Sequence, residues 1–516
     1  MPVTPTYPGV YIEEISGGVR TIAPVATSIT AFIGRATRGP ANDPITINSF
    51  ADFQRRFGGL DSKSMMSYAV YHYFSNQGSV AVIVRVTPEG AATSKLEIGI
   101  PLEAKGAGIW GDKIQVRVDY LTKDTKKEDL FNLFLYEADS RSLEEFRNVS
   151  IDPENARYVV TVLEEESELV RVSKSTNPLS RPGASGDVAG KNEWFNSPGA
   201  FQNLAGGGGD TQEIKDADLL GNQLDKKGLY ALEKADLFNL LCLPPAQRDV
   251  DLDEATWSSA LTYCRQRRAM LIIDPPSGWK SISQAVTGVD KLRQALGGED
   301  YSKNSALFFP RIVMPDPLKD NRNGEFVPCG AIAGIFARTD VQRGVWKAPA
   351  GINAGIIGIR KFPITMTDPE NGQLNPKGVN CLRAFPQYGS VIWGSRTMAG
   401  DDQTGSEWKY IPVRRFALFL QESLYRGTQW VVFEPNDEPL WSQIRINIKT
   451  FMTDLFRQGA FQGTTPNEAF YVRCDKDTTT QSDINRGIVN IEVGFAPLKP
   501  AEFVILKFKQ IARQNS

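Results

Sequence analysis

Residues 64–86 read SMMSYAVYHYFSNQGSVAVIVRV, and their interpretation sets the fold class. The first part, SMMSYAVYHYFSNQG, reads as a helix, and SVAVIVRV follows it at once as a near-continuous apolar run. Such a run is typical of a strand buried on both faces of a sheet. Upstream, SITAFIGRATRGP (28–40) reads as an apolar strand closed by a Gly-Pro turn. Between them NSFADFQRRFGG (48–59) reads as a short helix, with Asn48 or Ser49 as its cap and Gly58-Gly59 at its end. Strand, helix and strand in this order predict an α/β layer.

Downstream, from about Pro88 to Asp210, the chain becomes charged. KIQVRVDYL, LFNLFLYEA, RYVVTVL and ELVRVS read as strands divided by turns. A tract rich in Gly, Ser, Asn and Pro follows and ends in Gly206–Gly209, which reads as a flexible exit from an inserted, mainly β domain. The α/β pattern then resumes, with DLFNLLCLP, AMLIIDPP and SALFFPRIVM as strands and DEATWSSALTYCRQRR and SISQAVTGVDKLRQAL as the helices between them. The last third holds the helices RRFALFLQESLYRG and PLWSQIRINIKTFMTDLFRQG. In the second, Leu440, Ile444, Ile448, Phe451 and Leu455 share one face and Gly459 stops the helix. The strands AFYVRC and GIVNIEVGFAP follow.

The expected architecture is thus α/β and α+β, with several domains. Residues 31–95 and 215–365 form two parts of an α/β middle domain, 96–214 the mainly β insertion with its Gly-rich exit, and 366–516 a C-terminal domain, while residues 1–30 precede the middle domain with a strand of their own.

With 516 residues, 41% of them hydrophobic, the chain can build several cores, and a net charge of −2 argues against nucleic acid or an anionic membrane as main partner. Five scattered cysteines without a C-x-x-C pair argue against a disulfide scaffold or a thiolate zinc site. The start of the chain lacks a secretory signal, and no apolar run reaches the ~18 residues that span a bilayer, so synthesis and folding in the cytoplasm are expected.

Catalytic patterns are sparse. The single histidine, His72, lies in an aromatic helix run and has no second histidine with which to share a metal, so a packed or capping histidine is the expectation. GAIAGIF and GINAGIIGI match neither G-x-G-x-x-G nor a P-loop, and their glycines read as positions for close packing or flexible turns. LEEESELVR and FEPNDEP read as solvated carboxylates. No enzymatic activity, cofactor or metal is expected.

The two ends carry the more informative pattern. TPTYPGVYIEEISGG (4–18) and AEFVILKFKQ (501–510) both read as strands. Chain ends fray unless something holds them, and an unpaired strand offers its backbone to another chain. Val10, Ile12 and Glu14 alternate with Tyr11, Glu13 and Ile15. Val504, Leu506 and Phe508 alternate with Phe503, Ile505, Lys507 and Lys509. Glu13 and Glu14 could face Lys507 and Lys509 across a strand pair. Spacing alone leaves pairing within the subunit and donation to neighbours both open.

Longer stretches resemble the tail sheath family of contractile phage tails and phage-tail-like contractile injection systems. They are YPGVYIEE with TSITAFIGRATRGP, GLYALEKADLFNLLCLPP, GAIAGIFARTDVQRGVWKAPAG, LNPKGVNCLRAFPQYGSVIWGSRTM, WKYIPVRRFALFLQESLYRGTQWVVFEPNDEPLW and GFAPLKPAEFVILKF. Only about residues 100–210 fall outside the resemblance. It implies a subunit of stacked hexamers or a six-start helix around an inner tube, bounded by baseplate and tail-terminator proteins. It also implies that residues 1–30 and 366–516 share a core domain whose N-terminal and C-terminal arms complete β-sheets in neighbouring subunits, and that the sheath contracts from a metastable extended state. A C-terminal element is expected to touch the tube partly through charge, which singles out Arg445, Lys449 and Arg457. Two alternatives stay open, a non-contracting tail or baseplate protein and an α/β enzyme. Assembly in the producing cell is implied, with the particle a phage tail or a released injection system.

Overall fold

The computed structural model describes residues 21–173, 178–186, 194–197, 199–210 and 212–507. The chain divides into two compact units; the larger comprises residues 27–343 and 348–414. It is organised by a sheet of eight strands, β1 (Thr30–Gly34), β2 (Ile45–Ile47), β3 (Ala81–Arg85), β4 (Leu240–Cys242), β5 (Met270–Ile273), β6 (Ser305–Phe309), β7 (Val379–Phe385) and β8 (Gly389–Ile392). Their order is β8-β7-β6-β5-β4-β1-β3-β2. The strands from β7 to β3 run parallel, and β8 and β2 close the two edges antiparallel.

Burial on both faces explains the continuous apolar runs. Phe32, Ile83, Ile272 and Phe308 point to one face, and Ile33, Val84, Leu271 and Leu307 to the other. The first face is covered by α1 (Phe50–Phe57), α2 (Met65–Ser75) and α5 (Cys329–Arg343). The second is covered by α3 (Glu254–Gln266) and α4 (Ile282–Ala295).

Caps place the helix ends. The Ser49 hydroxyl accepts from the Asp52 amide and the Ser64 hydroxyl from the Ser67 amide, and α1 stops at Gly58 in the left-handed region, at φ 90°. Within α5, Gly330 and Gly334 lie against the backbone of α2, so of the two roles open to the glycines of GAIAGIF, close packing is the one found.

The segment between β3 and β4 carries two small antiparallel sheets. One contains Gln202–Asn203, Ile114–Asp119, Leu130–Glu137 and Ser142–Ser150; the other contains Lys95–Glu97, Pro101–Ala104 and Val170–Val172. They enclose a core of their own that includes Leu102, Val116, Phe131 and Leu133.

Three local expectations change. RYVVTVL is not a strand, since Val159–Glu166 is a helix. Its β-branched residues suggested a strand, but Val159, Val162 and Leu163 fall at helical spacing and pack into that core, and packing overrides propensity. SALFFPRIVM is two strands, because Pro310 lacks a ladder donor. Ile312–Asp316 leaves the large sheet to pair with Arg322–Phe326. Gly206–Gly209 is pinned rather than a free linker. Ala92 N donates to Gly208 O (2.9 Å) and Gly207 N to Asp112 Oδ1 (2.9 Å), while a Cβ on Gly207 would meet Gly108 O at 2.3 Å.

The second unit holds, among the described residues, 21–26, 344–347 and 415–507. It begins its main run later than the expected 366, because β7 and β8 belong to the large sheet. It contains most of α6 (Ile411–Gly427), then α7 (Glu438–Arg457) and a two-stranded sheet of Phe470–Arg473 with Glu492–Phe495. The stripe Leu440, Ile444, Ile448, Phe451 and Leu455 is buried against Phe416, Phe419 and Ile22, and Asp437 caps α7 by accepting from Leu440 N.

Candidate assembly surfaces

His72 is packed in the core. It is 1% exposed, its ring lies edge-on to Phe326 at 5.1 Å, and burial first, then the Arg248 charge, pushes its pKa down to about 3. All five cysteines are buried. Asp274, whose pKa burial raises to about 7, accepts from Cys329 N at 2.9 Å and so caps α5. No group of three or more His, Cys, Asp or Glu among the described residues could hold a metal ion. No helix among them is long and apolar enough to cross a membrane.

Of the residues expected in the arms, Val10, Tyr11, Ile12, Glu13, Glu14, Phe508 and Lys509 lie outside the described residues. The others fall together. Phe503, Val504, Ile505 and Leu506 are between 71% and 80% exposed, Lys507 is exposed, and no strand forms over residues 501–507. A run of four exposed apolar residues has a high cost in water unless something covers it. The two-stranded sheet of the same unit ends nearby in sequence, with Phe461 bridged to Pro497.

The three cations chosen on α7 separate. Arg445 is occupied, since Nη2 bonds Glu438 Oε1 at 2.6 Å and Nη1 donates to the Cys474 carbonyl. Lys449 is exposed, and Arg457 is exposed with only a surface pair to Asp454 at 3.2 Å. With half-exposed Ile446 they lie along the side of α7 opposite its buried stripe.

Another feature escaped the sequence reading. After α6, Val432 and Phe433 are exposed, and Phe433 is fully so at 103%. The available signal was an apolar triplet, VVF, standing outside any periodic run and just before Pro435.

Two family models match the chain, the phage tail sheath protein central domain over residues 214–398 and the phage tail sheath C-terminal domain over residues 403–511. Together they cover more than half of it. The chain belongs to the phage tail sheath family. Among its relatives, the tail sheath protein of Vibrio phage KVP40 is 29% identical over 192 residues, which is 37% of this chain and 27% of that protein. A putative prophage major tail sheath protein of Pseudomonas aeruginosa is 25% identical over 253 residues, 45% of this chain and 62% of that protein. The chain thus spans between about a quarter and three fifths of these curated sheath relatives. In fold, it resembles the sheath of an extracellular contractile injection system, PVC, solved in the contracted state. That match has a TM-score of 0.58 and 21% identity, and covers 99% of this chain and 100% of the other. The sheath fold therefore extends beyond the segments that the family models match.

Proposed function

We propose that this chain is the repeating subunit of a contractile sheath. Copies polymerise as stacked hexamers or a six-start helix around an inner tube, between baseplate and terminator proteins. The array relaxes from a metastable extended state to a shorter, wider one and drives the tube through a target envelope. The work comes from a two-state change in packing repeated over many coupled copies. The proposal gives the chain no reaction to catalyse, and places its assembly inside the producing cell. The observation that carries it is the match of both sheath domain models, in order, along one chain.

The exposed run Phe503–Leu506 supports strand donation as the link between copies. Each added backbone bond contributes only ~1 kcal/mol net, so an arm of several bonds is strong in an array yet deformable. The test is electron microscopy of the protein expressed alone and of a variant lacking residues 500–516. The full chain is expected to form long hollow tubes or stacked rings. The truncated chain is expected to keep its thermal midpoint and form neither. Unfolding of the truncated chain would place this segment in the subunit's own core and sink donation, while a full chain that never assembles would sink the sheath reading.

The exposed side of α7 is the proposed tube contact, carried by Lys449 and Arg457 and not by Arg445, whose guanidinium is already engaged. Reversing both, Lys449→Glu with Arg457→Glu, is expected to weaken co-sedimentation with inner tube and to make the remainder less salt-sensitive. Unchanged co-sedimentation would remove this surface from the proposal.

A further inference from the structure

A cleft of about 190 Å³ opens beside α3, within the larger unit and apart from the arms and the α7 face. Ser258, Thr262 and Gln266 line it at steps of four along the helix, so they share one face, and Ser259 stands beside them. Gln223 and Tyr230, from the segment before β4, complete the lining with Tyr263 of the helix. The volume is below the roughly 300–1,000 Å³ of a drug-sized pocket and suits a single small ring.

The chemistry of this lining is unusual for a surface helix, whose solvent face normally carries charge. Between Glu254 and Arg265 the helix has no charged residue, and no residue lining the cleft is charged. The hydroxyls are also unpaired. Thr287, Thr339, Thr450 and Thr453 lie within other helices, and each donates to the carbonyl four residues back, a common partner of a helical hydroxyl. By contrast, the side chains of Ser258, Ser259, Thr262 and Gln266 have no hydrogen bond among the described residues.

Charged neighbours of the lining are already engaged. Glu233 Oε1 accepts from Gln223 Nε2 at 2.9 Å. Arg267 donates Nη1 to Leu232 O (2.6 Å) and to the Tyr263 hydroxyl (2.8 Å), and Nη2 to Ala235 O (2.8 Å). The guanidinium thereby ties the helical turn Gly228–Lys234, which carries Tyr230, to α3. Tyr230 packs edge-on to Tyr263 with ring centres 5.5 Å apart. The walls are therefore held in place before any ligand arrives, which lowers the ordering cost of binding.

Hydroxyls and amides both donate and accept, so this set matches a ligand dense in hydroxyl groups, and an aromatic in the lining suits one that also has a C–H face. A charged ligand would find no counter-charge. We infer that the cleft binds a neutral sugar through one pyranose ring, with Ser258, Thr262 and Gln266 bonding its hydroxyls and Tyr230 against its C–H face. The inference goes beyond the sheath reading and does not depend on it, because every residue of the site belongs to one copy.

The test titrates the full chain with the methyl glycosides of glucose, galactose and mannose, followed by saturation-transfer NMR. A ring of about a dozen heavy atoms is expected to bind with a dissociation constant of about 1 mM for at least one of the three. Ser258→Ala with Thr262→Val removes two hydroxyls at nearly constant shape. It should weaken that binding by more than about tenfold and leave the thermal midpoint unchanged, since neither hydroxyl bonds within the fold. Sorbitol, which carries similar hydroxyls on an open chain without a ring face, should not displace the glycoside. Failure of all three glycosides to saturate the protein, equal binding by the double variant, or displacement by sorbitol at matched concentration would each overturn the site. None of these results bears on assembly, so the sheath reading stands or falls separately.

Discussion

Gly330→Val is expected to abolish cooperative folding of the larger unit, and Gly330→Ala to cost about 3 kcal/mol or more. Propensity predicts the opposite sign, since alanine in a helix interior is worth about 1 kcal/mol over glycine. Geometry decides. A Cβ on Gly330 would lie 2.0 Å from Ala69 O and 2.6 Å from Ala69 C, and one on Gly334 would lie 2.5 Å from Tyr73 O. These neighbours are backbone atoms of α2, tied into its hydrogen-bond ladder, so no rotamer change relieves the clash. The helices must separate, and the core face holding Tyr68, Tyr73, Ile332 and Phe336 opens with them. Against a typical domain stability of about 5–15 kcal/mol, that loss is a large fraction. Gly372 supplies the control. It sits in the helix Asp368–Leu374 with nothing within 4 Å of its would-be Cβ, so Gly372→Ala should be neutral or stabilising. Urea titration of both alanine variants checks the argument, and equal midpoints for the two would refute it.

The same residues show where a sequence speaks clearly. GAIAGIF carried its spacing openly, and so did the stripe of α7, because both signals are local periodicities that packing then uses. SVAVIVRV announced a central strand because burial on two faces leaves no polar position. RYVVTVL failed for a complementary reason. Val, Thr and Tyr favour strands on average, yet what fixed Val159–Glu166 was the core it had to fill, which involves residues far along the chain. The start of the C-terminal unit was placed too early because LNPKGVNCLRAFPQYGSVIWG carries no mark of which sheet its strands join.

Surfaces were less legible than the core. Arg445, Lys449 and Arg457 share a spacing, but only the tertiary partners Glu438 and Cys474 reveal that Arg445 is occupied. Phe433 looked like part of a solvated acidic turn, because neither full exposure nor a left-handed φ is encoded in a local pattern. The exposed run Phe503–Leu506 shows the limit from the other side. Its alternation reads as a strand, and within the described chain it has no ladder to join.

Arg85→Met is the second large effect expected, a loss of about 3–6 kcal/mol, with Arg85→Lys intermediate. Arg85 ends β3 and is wholly buried. It donates Nε to Ala36 O (2.9 Å), Nη1 to Gly39 O (2.8 Å) and Nη2 to Ala107 O (2.7 Å). No carboxylate among the described residues bonds it, and burial lowers its pKa to about 10, so it remains a cation solvated by carbonyl dipoles at neutral pH. Buried charges can often be exchanged for apolar groups at little cost when the partners go too. Here the partners are main-chain carbonyls that cannot be removed, and each left unpaired costs about 1–3 kcal/mol. Lysine keeps the charge but cannot present a planar fork to three acceptors at once. The location sharpens the expectation. Ala36 and Gly39 follow β1, whereas Ala107 belongs to the inserted segment, and a Cβ on neighbouring Gly106 would lie 1.9 Å from Gly39 O. Arg85 therefore fastens the insertion to the sheet at the point where the chain leaves it. Hydrogen exchange should rise first around residues 104–108 in Arg85→Met, before the sheet amides of β1 and β3 respond. Protection that falls uniformly across the unit would mean that Arg85 supports the sheet alone and that the insertion is held elsewhere.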